Sequence, residues 1–124
     1  MTDSRRSLGA FGEKYAAGYL ARAAYAILDT NVRLKGGEID IVAREGDTLV
    51  LVEVRTRRGG RMGTPEESIT PRKAQRLAKL AAEYVQSLAT PPAGWRIDVV
   101  AVQVAPGGRV SRLELLRNAV EESS

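Results

Sequence analysis

Two strand-like segments of the chain contain carboxylates where apolar side chains are expected. Asp40 lies inside an Ile/Val-rich segment at residues 38–43, and Glu53 lies inside the apolar run at residues 48–55. Asp and Glu are depleted in strands, because burying an unpaired carboxylate costs free energy. Two such carboxylates on neighbouring strands would suit a hard cation such as Mg²⁺ or Mn²⁺, which prefers oxygen ligands.

The hairpin that joins these two strands decides whether the carboxylates meet. A two- or four-residue loop centred on Glu45 and Gly46 places Glu38 opposite Glu53. Asp40 and Glu53 then become diagonal neighbours on one face, close enough to share an ion. A three-residue loop would move Glu53 to the other face unless a bulge restored it. The shared site therefore depends on the register.

A salt-bridge network is the alternative explanation for these acids. In it, Arg55, which projects from the face of Asp40 and Glu53, or Arg33 neutralises them on an exposed edge strand. The apolar neighbours of Glu53 favour an interior strand instead. Glu13 borders the apolar stripe of the first predicted helix, where an ordinary glutamate on a helix flank is the alternative to a site residue.

The residue types that are missing restrict the chemistry further. The 124-residue chain contains no Cys and no His, which excludes disulfides, thiolate metal sites, imidazole ligands and histidine bases. Any catalysis must use carboxylates, Lys, Arg, Tyr and hydroxyls, with a hard cation where an ion is needed. The length predicts one domain over residues 1–124, with a core at 8–118 and loose ends at 1–7 and 119–124.

Positive charge is concentrated in the middle of the chain. Eight cations and two anions lie between residues 55 and 79, so this block has a net charge of +6, whereas the whole chain has a net charge of +4. A one-sided basic block favours a polyanionic partner, nucleic acid before membrane; a solvated helix face beside a charged loop is the alternative. No apolar run is long enough for a membrane helix and the first residues do not resemble a signal peptide, so we expect a cytoplasmic protein.

Periodicity and turn residues predict two helices and five strands in the order α-β-β-β-α-β-β, a mixed α/β protein. In the first helix, apolar spacing predicts that Phe11 and Tyr15 are buried. In the second strand, alternation places Ile39 and Ile41 on one face. The predicted elements are a helix at 8–24, strands at 26–33, 38–43 and 48–55, a loop at 56–68, a helix from Pro71 with Thr70 as N-cap, and strands at 96–104 and 110–116.

The motif Gly37-Glu38-Ile39-Asp40, followed after a hairpin by Val52-Glu53-Val54-Arg55, resembles the PD-(D/E)XK nuclease superfamily. More narrowly, the chain resembles the bacterial YraN-like family of predicted endonucleases, which is related to archaeal Holliday junction resolvases. The resemblance covers nearly the whole chain. It implies a restriction-endonuclease-like mixed sheet with an αβββαβ core, here with an added C-terminal strand.

The same resemblance implies a site. Asp40 and Glu53 would hold Mg²⁺ or Mn²⁺, and Glu13 would match the helix-one glutamate of the resolvase-like branch. Arg55 stands where the superfamily usually has lysine, and arginine stays protonated and cannot act as a base. Lys73, in the second helix, is our candidate for the missing ammonium. These five residues form the predicted catalytic set.

The function implied is a metal-dependent nuclease acting on DNA rather than RNA, with branched or junction structures as candidate substrates and a homodimer by analogy with the resolvases. A non-catalytic nucleic-acid-binding or protein-interaction module that kept the nuclease fold is the alternative, and a subunit that binds no nucleic acid is a third. The cations expected to contact phosphates are Arg57, Arg58, Arg61, Arg72, Lys73 and Arg76.

Overall fold

The structure, a computed structural model, describes residues 4–59, 67 and 69–120, with side chains from residue 7 onward. It contains a five-stranded sheet and two helices, which confirms the predicted mixed α/β class. In chain order the elements are α1 (Ser4–Arg22), β1 (Ala26–Leu34), β2 (Gly37–Glu45), β3 (Thr48–Arg58), α2 (Pro71–Gln86), β4 (Gly94–Val104) and β5 (Val110–Leu116).

The strands lie side by side in the order β1-β2-β3-β4-β5. All neighbouring pairs are antiparallel except β3 and β4, which are parallel and are connected through α2. Ala16 and Leu20 of α1 belong to the core on one face of the sheet, and Leu77 and Leu80 of α2 belong to the core on the other. Burial of β3 on both faces explains its nearly continuous apolar run.

The start of α2 is confirmed in detail. Thr70 has an extended backbone and its side chain accepts a hydrogen bond from the Lys73 N–H at 3.2 Å, with Pro71 at the first helical position. This cap satisfies one of the free N–H groups at the start of a helix. Neither described helix has the length and apolar character that crossing a membrane requires.

The loop predicted after β3 begins later than expected. Thr56, Arg57 and Arg58 belong to β3, where they pair with residues 102–104 of β4. The parallel partner therefore extends the strand through a segment whose charged residues indicated a loop. Arg61, one of the predicted phosphate contacts, lies outside the described residues.

The predicted hairpin register is wrong by two residues. The β2–β3 turn is centred on Gly46 and Asp47 instead of Glu45 and Gly46, and Gly46 adopts the left-handed φ of 60° that glycine favours. Ile41 consequently lies opposite Val52. Because side chains alternate with a period of two, an even shift leaves Asp40 and Glu53 on neighbouring strands with the same relative facing.

The prediction that Ile39 and Ile41 share a face is also wrong. Ile41 packs into the core under α1, whereas Ile39 packs into the core under α2. The alternation breaks next to Asn31 of β1, which has a left-handed φ of 51° in the middle of its strand. This kink in β1 lies beside Asp40, since Thr30 pairs with Ile41 and Val32 pairs with Ile39.

The apolar stripe of α1 is only partly buried. Phe11 and Tyr15, predicted as core residues, are 40% and 39% exposed. The helix rests on β3 through Gly12, where an added Cβ would lie 1.7 Å from Thr56 Oγ1. This close approach turns the helix so that the two aromatic rings lie off its buried face.

The described fold extends beyond the predicted core of residues 8–118 at both of its limits. α1 begins at Ser4, four residues before the predicted start at Leu8. At the other end, the Ala119 N–H donates to the Ile97 carbonyl at 2.8 Å, and Val120 is 7% exposed within the core under α2. Residues 119 and 120 are therefore part of the fold and not of a loose end.

Candidate functional site

The candidate site lies where β2 and β3 separate. Their ladder runs from the turn to the pair Ile41–Val52 and stops there. Beyond it, β2 remains paired with β1 and β3 remains paired with β4. Asp40 lies at this fork, where its Oδ2 accepts the Val54 N–H at 2.8 Å. A carboxylate thus takes the place of a strand partner, which explains why it tolerates this position.

Helix α1 supplies the next carboxylate. Gly12 lets the helix approach β3 closely, and Glu13, the following residue, faces the fork. An open cleft of about 410 Å³ lies there, lined by Glu13, Asp40 and Glu53 together with residues of α1 and β3. The three predicted acidic residues therefore border one cleft.

Asn31 and Glu38 complete this group, which we call the acid site: Glu13, Asn31, Glu38, Asp40 and Glu53. The Asn31 Nδ2 donates to Glu13 Oε2 at 2.8 Å and to Glu38 Oε1 at 3.0 Å. Carboxylate oxygens of Glu13, Glu38 and Asp40 all lie within 4.8 Å of one another. One neutral amide thus holds two carboxylates next to a third.

The electrostatics reflect this crowding of negative charge. The pKa of Asp40 is raised to about 7, mainly by burial and also by the neighbouring carboxylates of Glu53 and Glu38, against the lowering effect of the Val54 N–H. Burial also raises the pKa of Glu13, against the lowering effect of its hydrogen bond from Asn31. The site therefore favours either a bound proton or a cation.

A divalent cation fits this set of ligands. All candidate ligands are carboxylate oxygens, the donor type that Mg²⁺ and Mn²⁺ prefer. Among the described residues, Asp40, Glu53 and Glu13 form no ion pair within 4.0 Å; the only Arg33 contact is a 3.8 Å pair with Glu38, with the Arg33 side chain 89% exposed. The predicted alternative, neutralisation of Asp40 and Glu53 by Arg55 or Arg33, is absent from this part of the structure.

The predicted cations lie on the α2 side of the fork. Lys73 is half-buried, and its pKa is lowered by burial and by Arg55, while Glu53 raises it. Arg57 and Arg76 lower it further. Four cations of β3 and α2 therefore lie close enough to influence one another, next to Glu53.

The remaining predicted phosphate contacts are more peripheral. Arg58 is exposed at the end of β3, and Arg72 is exposed in the first turn of α2. The N-terminal turn of α2 carries no acidic residue. The basic surface therefore extends from the fork toward the start of α2.

Sequence reasoning missed Asn31 and Glu38 as site residues. Glu38 alternates with Asp40 along β2, a signal that was present in the sequence. Asn31 had a weaker signal, since asparagine is among the few residues that tolerate a left-handed backbone. Its hydrogen bonds to Glu13 and Glu38 depend on how α1 packs against β1, and no local pattern encodes that.

A second group of charged residues lies around Tyr25, in the short segment between α1 and β1. Asp98, fully buried, accepts hydrogen bonds from Tyr25 Oη at 2.8 Å, Arg96 Nε at 2.9 Å and the Asn118 N–H at 2.8 Å. Arg96 also donates to Glu45 at 2.7 Å, and Arg117 pairs with Glu45 as well. We call this set the Asp98 network: Tyr25, Glu45, Arg96, Asp98, Arg117 and Asn118.

The fork, the crowded carboxylates and the adjacent cations are features of a nuclease-like protein. Residues 12–102 match the model of the uncharacterised protein family UPF0102, which is the YraN family. The UPF0102 protein of Symbiobacterium thermophilum is 47% identical, over 92% of this chain and 96% of its own length. Those of Syntrophus aciditrophicus and Dehalococcoides mccartyi are 44% and 45% identical; each alignment covers 98% of this chain, and 93% and 99% of the relatives. The chain belongs to the UPF0102 (YraN) family, a PD-(D/E)XK nuclease-like group, which confirms the resemblance found in the sequence.

Proposed function

We propose that this protein is a metal-dependent nuclease that hydrolyses phosphodiester bonds of DNA at the acid site, within a restriction-endonuclease-like fold. The observation that carries the proposal is the convergence of Glu13, Glu38 and Asp40 within 4.8 Å at the β2–β3 fork, with Glu53 beside them. Such a concentration of unneutralised carboxylates opposes folding, and proteins retain costly features of this kind at functional sites.

Asp40 and Glu53 would hold Mg²⁺ or Mn²⁺, with Glu13 and Glu38 near enough to share the ligation. When bound, such an ion polarises the scissile phosphate and lowers the pKa of its water. Arg55 would stabilise negative charge on the phosphate oxygens through its fork of N–H groups. Lys73 would supply a compact ammonium from the other side, with a pKa that burial and Arg55 already lower.

The cations beyond the fork would bind the DNA backbone. Arg57 and Arg76 lie near Lys73, and Arg58 and Arg72 extend the same basic surface toward solvent. Contacts of this kind neutralise phosphates and position a duplex without reading its sequence, so binding weakens as salt increases. DNA with branches or four-way junctions is the substrate class that we propose.

Cleavage of labelled linear, flap and four-way DNA tests the proposal directly. We expect cleavage with Mg²⁺ or Mn²⁺, none with EDTA, and a loss of about 100-fold or more in Glu53→Gln. Asp47→Asn, which removes an exposed carboxylate at the β2–β3 turn, is the matched control and should cleave normally. Cleavage that survives in Glu53→Gln would contradict the proposal.

The role of Lys73 is tested separately. Lys73→Ala should abolish cleavage and leave DNA affinity almost unchanged, whereas Arg76→Ala should weaken binding and reduce its salt dependence by about one phosphate contact. Unaffected cleavage in Lys73→Ala would eliminate this role.

A second candidate function rests on Arg55. Because arginine cannot act as a base, a non-catalytic nucleic-acid-binding module remains the alternative. It predicts salt-dependent binding to DNA with no cleavage in either metal.

A further inference from the structure

The two edges of the sheet differ in how they are protected. β1 carries a bulge between Ile27 and Asp29 and the left-handed kink at Asn31, and both interrupt a straight edge. β5, at the other edge, shifts register once near its start, between the pairs Gln103–Arg112 and Val104–Val110, and then pairs with β4 without interruption from Arg112 to Leu116. An uninterrupted edge strand offers free backbone groups to another strand, and proteins usually block such edges with bulges or cover them.

Apolar side chains accumulate beside this open edge. Leu113 and Leu115 of β5 are only partly buried against the core under α1. Phe11 and Tyr15 are the most exposed large aromatic side chains of α1, with ring centroids 6.1 Å apart. Helical spacing places them on the flank of α1 opposite Glu13. Since Glu13 faces β1 and β2, the aromatic pair lies toward β4 and β5.

The charges of β5 identify what would cover this edge. Arg112 and Glu114 flank Leu113, and the two form an ion pair within the chain. A two-fold axis through Leu113 would place Arg112 opposite Glu114 of the partner subunit, and Glu114 opposite the partner's Arg112. Opposite charges directly across antiparallel strands favour pairing, and like charges oppose it. The strand is thus complementary in charge to a second copy of itself.

We propose that β5 forms the interface of a symmetric homodimer, in which two copies pair antiparallel about Leu113 and extend the sheet to ten strands. Strand pairing alone buries little area compared with a stable interface. Phe11 and Tyr15 supply the additional apolar surface on the α1 side. The interface is isologous, because the same patch is used by both copies.

This arrangement deepens the proposed function and rests on it. Five inter-strand spacings of about 4.8 Å separate the two β3 strands, which therefore lie roughly 24 Å apart across the sheet. A two-fold axis perpendicular to the sheet keeps both clefts on the same side. The dimer would present two sites to one DNA molecule, as cleavage of paired strands requires.

Sedimentation velocity between about 1 and 100 µM tests the interface without any DNA. The wild type should be a dimer, and Arg112→Glu and Glu114→Arg should each be monomeric because like charges then face each other. An equimolar mixture of the two variants should form a heterodimer, since each facing pair is again of opposite charge. Each variant loses the pair within its own chain, and mixing cannot restore it, so heterodimer formation reports only on the contact between chains.

Phe11→Ser provides a second test that spares the fold, because the side chain is already 40% exposed. It should weaken self-association about tenfold or more. A monomeric wild type, or a mixture of the charge variants that stays monomeric, would overturn the proposal. Because these measurements involve no cleavage, failure of the nuclease proposal would leave a positive result intact.

Discussion

The acid site and the Asp98 network both place carboxylates on strands of the sheet, but they differ in how fully those carboxylates are neutralised. Both oxygens of Asp98 accept hydrogen bonds, from Tyr25, Arg96 and the Asn118 N–H. In the acid site, Asp40 receives the Val54 N–H, and one amide, that of Asn31, serves two glutamates. A carboxylate with complete partners stabilises a fold, whereas one without them is available to a ligand.

The residues of the Asp98 network come from four separate parts of the fold. The Asp98 network joins the end of α1, the end of β2, the start of β4 and the segment after β5. Its Arg96 and Arg117 guanidinium groups lie 5.8 and 5.9 Å from the ring centroid of Tyr25. We therefore assign the Asp98 network to the fold and the acid site to chemistry.

The largest expected effect is on the stability of Asp98→Ala. The change leaves the Arg96 guanidinium without its buried partner and removes an acceptor from Tyr25 and Asn118. Breaking a buried pair in this way costs about 3–5 kcal/mol of the free energy of unfolding, measured by urea denaturation. Asp47→Asn, at an exposed turn, should change stability by less than about 0.5 kcal/mol. A cost below about 1 kcal/mol in Asp98→Ala would break the contrast between the two clusters.

Asp40→Asn should change the free energy of unfolding in the opposite direction and stabilise the protein. The pKa of Asp40 is about 7 in the folded protein against an ordinary value of 3.8, so ionisation opposes folding. In wild type, the stability associated with this group is full below pH 4 and is lost as pH rises toward 7. Asp40→Asn should therefore be more stable than wild type by about 1–3 kcal/mol at pH 8 and equal to it near pH 4.

Urea denaturation in EDTA measures this difference. Adding Mg²⁺ at pH 8 should raise the stability of wild type and leave Asp40→Asn nearly unchanged, because a ligand stabilises only the form that binds it. Equal stabilities across this pH range would show that the acid site is neutralised after all.

Tyr25→Phe tests the Asp98 network at high pH. Burial and the hydrogen bond to Asp98 raise the pKa of Tyr25 from 10.0 to about 12. The hydroxyl therefore contributes stability that is present below pH 10 and is lost as pH rises through 12. Tyr25→Phe should be less stable than wild type by about 1–2 kcal/mol at pH 8, with the difference shrinking above pH 10. A constant difference across that range would contradict the assignment.

The smallest effect separates the backbone of Asn31 from its amide. Asn31→Gly loses the hydrogen bonds to Glu13 and Glu38 but accommodates the φ of 51°. Asn31→Ala loses the same bonds and retains the backbone strain, so it should be less stable than Asn31→Gly by about 1 kcal/mol. Thermal unfolding at matched pH compares the two variants. If Asn31→Ala were the more stable one, the kink would not be strained.

Local signals in the sequence predicted the start of α2 well, since Thr70 and Pro71 act within one helical turn. Asp40 and Glu53 are close to each other although the predicted register was wrong, because the error was an even number of residues. The prediction that Ile39 and Ile41 share a face was wrong because the kink at Asn31 breaks the alternation. A left-handed asparagine is not evident from its neighbours in the sequence. The prediction that Phe11 is buried was wrong because the close contact between Gly12 and Thr56 sets the rotation of α1.

The sequence by itself determined the chemistry that is available: with neither His nor Cys, the possible metal ligands are oxygen atoms, and Asp40 and Glu53 stand out because strands rarely contain such residues. Only the tertiary structure decided which carboxylates converge. Glu13, Asn31 and Glu38 meet because α1 lies directly on β3 and β1 bends beside it. Contacts between segments distant in the chain depend on packing, whereas residue type and alternation are properties of the chain alone.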